Sequence, residues 1–312
     1  MRLLGAAHVR NEADIVEAFV RHNLVLLDGL AIVDHASVDA TPDILRALKD
    51  EGLPVFLARD ESPAFDQRPM QNRLVRHLLA TSDATWIFPL DADEFLRAPS
   101  RDALVNALSS VGNIPDLALE WTTYVPDFDA HDDVLACVRS ARRVRDDGHG
   151  LRKVAVSRAF GADADLYLSK GQHRVLSRRS TATRPASHVA DRRTLSIAHV
   201  PIRSAGQFTA KVALGWLANL RVPAREPNES LHWKEAFDSL RSGRPLTRRQ
   251  LESFAFNYGV PMERWLPTDA HQLVDDPFLH DFALRYPRGA ALEPLTVLLR
   301  QLEQLLRPIA PN

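Results

Sequence analysis

Three acids crowd four positions where an apolar run ends: Trp86, Ile87, Phe88 and Leu90 read as a buried strand, and Asp91, Asp93 and Glu94 follow at once. A carboxylate at the edge of a core is costly unless something pairs with it. Two aspartates one residue apart at a strand end can share a divalent cation. Mg²⁺ and Mn²⁺ prefer oxygen ligands, and Mg²⁺ usually takes one or two carboxylates while phosphates and water complete the shell. Asp91 and Asp93 in that role imply a phosphorylated ligand, with Glu94 assisting or facing solvent.

Other uses of such acids fit less well. "DADEFLRAPS" has Phe95 and Leu96 where an EF-hand loop needs its third acid and its glycine. The D-x-D-x-[TV] nucleophile motif of dehalogenase-type phosphatases follows an early strand, whereas here the motif comes after residue 90 and Phe95 holds its fifth position. Neither G-x-G-x-x-G after the first strand nor G-x-x-x-x-G-K-[ST] occurs.

The elements around the acids form a regular series. "LLGAAHV" (3–9), "LAIVD" (30–34), "PVFLARD" (54–60) and "TWIFPLD" are strand-like. Between them run helical patterns. Asn11 offers an N-cap to a helix whose apolar face holds Ile15, Val16, Phe19, Val20 and Leu24. Thr41 as cap, Pro42 and Gly52 punctuate a second helix; Met70, Leu74, Leu78 and Leu79 mark a third over 68–80; Ser100 caps a fourth through Val111. This alternation predicts a parallel sheet covered by helices. The strands run into His8, Arg10 and Asn11, into Asp34, into Asp60 and into Asp91. Ligands of open α/β sheets bind outside the carboxyl ends of the strands, so that edge is the expected site.

From 115 to about 202 the runs "LALEWTTYV", "VLACVRSARRV", "KVAVSRAF", "HRVLSRR" and "TLSIAHVPI" predict shorter strands that extend the sheet with mixed pairing. From Gln207 the pattern is helical, with Thr247 capping "TRRQLESFAFNYG". A last helix carries Leu292, Leu295, Leu299, Leu302 and Leu306, a stripe expected to pack on the body or on a sister subunit in a homo-oligomer. The domain division expected is 1–205 for the α/β part and 206–312 for a helical C-terminal region.

Composition narrows the classes. Of 312 residues, 45% are hydrophobic and 25% charged, as in an ordinary globular protein. Net charge is −1, which gives no general drive toward nucleic acid or an anionic membrane. A single cysteine, Cys137, excludes an internal disulfide and is expected to be buried. No apolar run reaches the length of a membrane span and no secretory leader is recognisable, so the expected location is the cytoplasm. The arginine-rich stretches 139–153 and 178–193 read as solvated surface, the second also as a candidate lid.

"RNEADIVEAFVRHNLVLLDGLAIVDHASVDAT" followed by "QNRLVRHLLATSDATWIFPLDADEFL" resembles the nucleotide-binding half of the family-2-like glycosyltransferases of the GT-A fold. The likeness continues through "GQHRV" (171–175) and "IAHVPIRSAGQFTAKVALG" (197–215). It implies a Rossmann-like mixed sheet flanked by helices, and metal-dependent transfer of a sugar from a nucleotide-diphosphate donor, a UDP-sugar by default, to a carbohydrate or glycolipid acceptor, with inversion. It places His8, Arg10, Asn11 and Glu12 where the first strand's loop meets the nucleotide, Asp34 at base or ribose, and Gln71 and Asn72 on a helix facing the nucleotide-sugar. His35, followed by Ala36, departs from the family's usual pattern beside the base. Asp91 and Asp93 match the acids on the diphosphate-bound Mn²⁺ or Mg²⁺, and His199 is the candidate third ligand.

The general base must stand across the anomeric carbon from the diphosphate. Glu120, beside Trp121, and His173 are the candidates, with Asp127 and Asp129 as substitutes. Two rival readings are a nucleotidyltransferase or phosphohydrolase using the same metal–phosphate logic, and a non-catalytic nucleotide-sugar-binding scaffold.

Overall fold

The structure is a computed structural model. It describes residues 1–62, 66–128, 134–147, 149–180, 184–220, 231–286 and 293–306. The first half alternates β1 (Leu3–Val9), α1 (Val16–Asn23), β2 (Gly29–His35), α2 (Thr41–Asp50), β3 (Val55–Asp60), α3 (Gln67–Thr81) and β4 (Trp86–Pro89). Then come β5 (Glu94–Arg97), α4 (Arg101–Ser110), β6 (Asp116–Val125), α5 (Val134–Ser140), β7 (Arg142–Val144) and β8 (Arg152–Ser157). α6 (Arg158–Ala162), β9 (Leu166–Leu168), β10 (Val175–Ser177), β11 (His188–Val189) and β12 (Ser196–His199) complete this part. The C-terminal region holds α7 (Ala205–Leu220), α8 (Leu231–Arg241), α9 (Arg248–Phe256), β13 (Leu273–Val274) and α10 (Pro294–Leu306).

The expected architecture, a mixed sheet flanked by helices and followed by a helical C-terminal region, is the one found. β1 pairs in parallel with both β2 and β4, and β2 with β3. β8 joins antiparallel between β4 and β6, and β12 lies parallel to β6 and antiparallel to β5. β1, β2 and β4 are buried on both faces because helices cover both, whereas β3, at the sheet edge, leaves Phe56, Ala58 and Arg59 exposed. Phe19, Leu30, Ile32, Leu45, Phe88 and Phe95 are buried together in the main core. The C-terminal region closes on the sheet: Val125 and Val144 pack in one cluster with Phe208, Val212, Leu251 and Phe254, and β13 pairs with β7.

Several local expectations are corrected. "VLACVRS" forms α5, not a strand; a short apolar run does not separate the two by periodicity alone. Asn11 is not a helix cap: α1 starts at Val16, and Asn11 sits in a left-handed turn with φ 55°. Thr41 is the first helical residue of α2 rather than its cap, and its hydroxyl accepts from the Glu12 backbone N–H. The caps at Ser100 and Thr247 are as expected, the latter a reciprocal capping box with Gln250. On α10, Leu295, Leu299 and Leu302 face solvent, while Val297 and Gln301 turn inward. Leu292, at the start of that stripe, and Asp129 lie outside the described residues.

Candidate active site

A cleft of about 1180 Å³ opens at the carboxyl edge of the sheet. β1 and the loop after it deliver His8, Arg10, Asn11 and Glu12 to its wall, the turn after β4 delivers Asp91 and Asp93, the segment after β12 supplies Arg203, and the C-terminal region supplies Lys211 and Tyr258.

Register brings the acids to their partners. After the Asp91–Asp93 turn the chain runs into β5, whose Glu94 pairs with His199 of β12. The Val200 N–H then donates to the Asp93 carbonyl at 2.9 Å. His199 Nε2 therefore lies 3.6 Å from Asp93 Oδ1, and its ring stacks on Trp121 with centroids 4.2 Å apart. The other oxygen, Asp93 Oδ2, accepts from the Lys211 ammonium. Burial works against the Asp93 charge, but Lys211, His199 and Arg203 together hold the carboxyl well below the usual range. Burial likewise opposes the Lys211 charge, and Asp93, Tyr258 and Glu12 raise its pKa above the ordinary lysine value.

Glu94 does not face solvent. It is fully buried, and its carboxylate accepts from Trp121 Nε1 at 2.6 Å, from the Asp91 backbone N–H at 2.9 Å and from Lys153 Nζ at 2.9 Å. Burial and the nearby Asp91 and Asp93 charges, opposed by Lys153, push Glu94 up to about 8. Lys153, only 1% exposed, also donates to Asp91 Oδ2 at 2.8 Å and to Gln172 Oε1 at 3.0 Å. Asp91 itself is partly open, with Gln67 Nε2 on its second oxygen at 3.2 Å.

The "GQH" turn holds this arrangement from below. Gly171 and Gln172 both adopt positive φ, 67° and 53°. A non-glycine residue there is uncommon and marks a conformation imposed by its surroundings. Here the Gln172 amide oxygen reaches Lys153, and the Gly171 N–H donates to Gln67 Oε1 at 3.0 Å. A Cβ on Gly171 would stand 2.5 Å from His173 Nε2, so this glycine also makes room for the imidazole. His173 lines the cleft, its ring edge-on to Trp121 at 5.2 Å, with Nδ1 bonded to the Arg152 carbonyl at 2.9 Å. That carbonyl requires Nδ1 to carry the proton, which leaves Nε2 with its lone pair. Burial, followed by the Lys153 charge, pushes His173 down to about 4, so the ring is neutral at pH 7.

A third network joins the first loop to α7. The fully buried Arg203 guanidinium donates to both Asp14 oxygens, at 2.6 and 2.9 Å, and to Glu12 Oε2 at 2.7 Å. Burial, opposed by Arg203 and Lys211, pushes Glu12 up to about 7. Asn11 Oδ1 accepts from the Val38 N–H, while its buried Nδ2 has no hydrogen-bond partner among the described residues.

The sequence-derived candidates divide accordingly. His8, Arg10, Asn11, Glu12, Asp91, Asp93, His173 and His199 line one cleft. Glu120 does not. Alternation along β6 turns Trp121 into the cleft and Glu120 out of it, where it is half exposed and pairs with Arg192 at 3.2 Å. Asp127 is exposed and also off the cleft wall. Gln71 and Asn72 support the wall rather than line it: Gln71 holds His8 Nδ1 at 2.7 Å and the Ala6 carbonyl at 2.9 Å, and Asn72 clasps the Leu168 backbone. Asp34 and His35 stand behind the wall, Asp34 bonded to Arg59 at 2.7 Å and His35 to the Ser62 carbonyl at 2.8 Å. The sequence reading passed over Lys153, Arg203 and Lys211. Lys153 ends a basic run but also opens the continuous apolar run "VAV" of β8, which is the signal that it is buried.

No protein-family model matches the chain, and no curated protein matches it. Among solved structures it is similar to residues 1–349 of S. aureus TarS, at TM-score 0.40 and 12% identity over 84% of this chain and 76% of that one. The same protein in complex with UDP gives TM-score 0.37 and 11% identity over 86% and 83%. Glucosyl-3-phosphoglycerate synthase from Mycobacterium tuberculosis, in complex with Mn²⁺, UDP and phosphoglyceric acid, gives TM-score 0.29 and 16% identity over 50% and 56%. At this distance, function has to be read from the cleft itself.

Proposed function

We propose that this chain is a glycosyltransferase that uses a nucleoside-diphosphate sugar, a UDP-sugar being the first donor to test, and passes the sugar to a hydroxyl acceptor with inversion. The observation that carries the reading is the convergence of Asp93, His199 and Lys211 at the carboxyl edge of a parallel sheet, within a cleft of about 1180 Å³. Among the described residues no group of three or more His, Cys, Asp and Glu is placed to hold a metal ion. Asp93 Oδ1 and His199 Nε2 nevertheless offer one oxygen and one nitrogen donor 3.6 Å apart, a pair suited to Mn²⁺. Two protein donors leave most of a shell to be completed, which suits an ion that arrives with diphosphate oxygens. Bound there, the ion would stabilise charge developing on the departing diphosphate.

The chain's own residues supply the rest. Lys211 and Arg10 present fixed cations on the leaving-group side. Glu94 and Lys153 lock the turn that carries Asp91 and Asp93, so the site needs little reorganisation during reaction. His173 Nε2 takes the proton of the acceptor hydroxyl as its oxygen forms the bond to the anomeric carbon and the carbon–phosphate oxygen bond breaks. The acceptor we propose is a carbohydrate or glycolipid hydroxyl. Among the described residues no helix is long and apolar enough to cross a membrane.

The test is a thermal-shift panel of UDP-, GDP- and dTDP-sugars with and without Mn²⁺. A ligand that binds only the folded state at a hundredfold over its dissociation constant adds about 2.7 kcal/mol of stability. One nucleotide-sugar should raise the melting temperature. No response to any of them would refute the reading.

A further inference from the structure

The cleft has two chemically different arms. One is the charged arm described above. The other runs between α7, α10 and the segment after α9, and is lined by Leu214, Ala218, Trp233, Val260, Met262 and Val297. A diphosphate and a sugar are polar and gain little from such a wall, and a nucleobase offers it only the faces of one ring system. A hydrocarbon gains from every methylene it buries. The rim continues the same character. Glu293 and Pro294 border the cleft, and the next residue begins the outward stripe of α10, where Leu295, Leu299 and Leu302 are 65%, 57% and 39% exposed. Leu220, at the end of the helix that carries Leu214 and Ala218, is 52% exposed. Single exposed leucines are ordinary, but Leu295, Leu299 and Leu302 recur at i, i+4 and i+7 and so share one face of α10, starting beside the Pro294 that borders the cleft.

We propose that the apolar arm holds the hydrocarbon chain of a lipid-linked acceptor, with the acceptor hydroxyl at the junction of the two arms beside His173 and the chain leaving along the α10 stripe. The proposal rests on the glycosyltransferase reading and narrows its acceptor to an amphiphile. Gly215 supports it: a Cβ there would meet the Trp233 ring at 2.5 Å, so the close approach of α7 to α8 that shapes the arm depends on a glycine.

The experiment titrates the full chain, saturated with UDP and Mn²⁺, with methyl, hexyl and octyl β-D-glucopyranoside below their micellar concentrations. Affinity should climb along the series, by roughly fourfold for each methylene fully buried. Leu214→Gln and Val297→Asn should flatten the climb while UDP affinity is kept, which also shows that the variants fold. A flat series in a protein that binds UDP would overturn the proposal and leave the donor reading standing. An equal climb in both variants would also overturn it. Failure to bind UDP, GDP or dTDP would refute the donor reading instead. A dimer that Leu299→Glu dissociates, found with a flat glucoside series, would assign the stripe to a second copy of this chain and overturn the lipid proposal.

Discussion

Replacing Lys153 by methionine tests the packing beneath the cleft. The ammonium lies 2.9 Å from Glu94 and 2.8 Å from Asp91, and only 1% of the residue is exposed. At such a separation and an effective dielectric constant of about 20, Coulomb attraction within one pair is roughly 6 kcal/mol before desolvation is subtracted. The net cost of stranding one member of a buried pair is about 3–5 kcal/mol. Asp91 has a side chain 37% exposed and can rehydrate, whereas Glu94 is completely buried and cannot. The loss therefore falls mainly on Glu94, and Lys153→Met should destabilise by about 3–5 kcal/mol. Urea unfolding at pH 9, where Glu94, pushed up to about 8, is ionised in the native chain, measures it by tryptophan fluorescence. In the double variant Lys153→Met/Glu94→Gln the stranded charge is gone, and a glutamine oxygen still accepts from Trp121. Its loss should be smaller than the sum of the single losses by at least about 1 kcal/mol. A Lys153→Met loss below about 1 kcal/mol, or strict additivity, would refute the pairing.

Other outcomes follow from the same geometry. His173→Ala should lower transfer by about 10²–10⁴-fold with donor affinity kept, while Glu120→Gln should transfer at the native rate; initial rates with saturating donor check both. Because His173 is pushed down to about 4, the rate should stay level from pH 8 to 5 and fall only as the ring takes its proton near 4; an acid limb centred near 6.5 would contradict this. Gly171→Ala, at φ 67°, should cost about 1–2 kcal/mol in stability and drive the His173 ring from its place, lowering the rate as well. His22 is fully buried with Nε2 bonded to the Leu96 carbonyl, and burial pushes it down to about 3. The unfolded chain takes that proton near pH 6.5 and the folded chain does not, so this stability is present above 6.5 and lost as pH falls. The loss should be about 2 kcal/mol between pH 7.5 and 5, and His22→Asn should remove that part of the slope in denaturation curves.

The strand–helix alternation of the first half could be read because its apolar runs and turn residues agree, and the strand ends then pointed to the edge where the cleft opens. Asp93 and His199 were legible as a pair only through the resemblance, since β12 reaches β5 by pairing that no periodicity reveals. Glu120 shows the opposite case: once Trp121 is placed in the cleft, alternation alone turns its neighbour away. Asp34 and Gln71 are polar, buried and close to the site, and sequence cannot separate a residue that touches a ligand from one that holds its neighbour. Lys153 and Lys211 were not legible for a related reason. A charge looks solvated until the acids that pair with it are located, and Lys153 lies 62 residues from Asp91 in sequence.

Calorimetric titration of UDP in the presence of Mn²⁺ tests the central claim most directly, because it asks whether the Asp93–His199 end of the cleft is where a diphosphate binds. The native chain should bind one UDP, binding should weaken when Mn²⁺ is chelated, and Asp93→Asn and His199→Ala should each weaken it at least tenfold while leaving the unfolding transition cooperative. Equal affinity in the native chain and both variants would contradict the account.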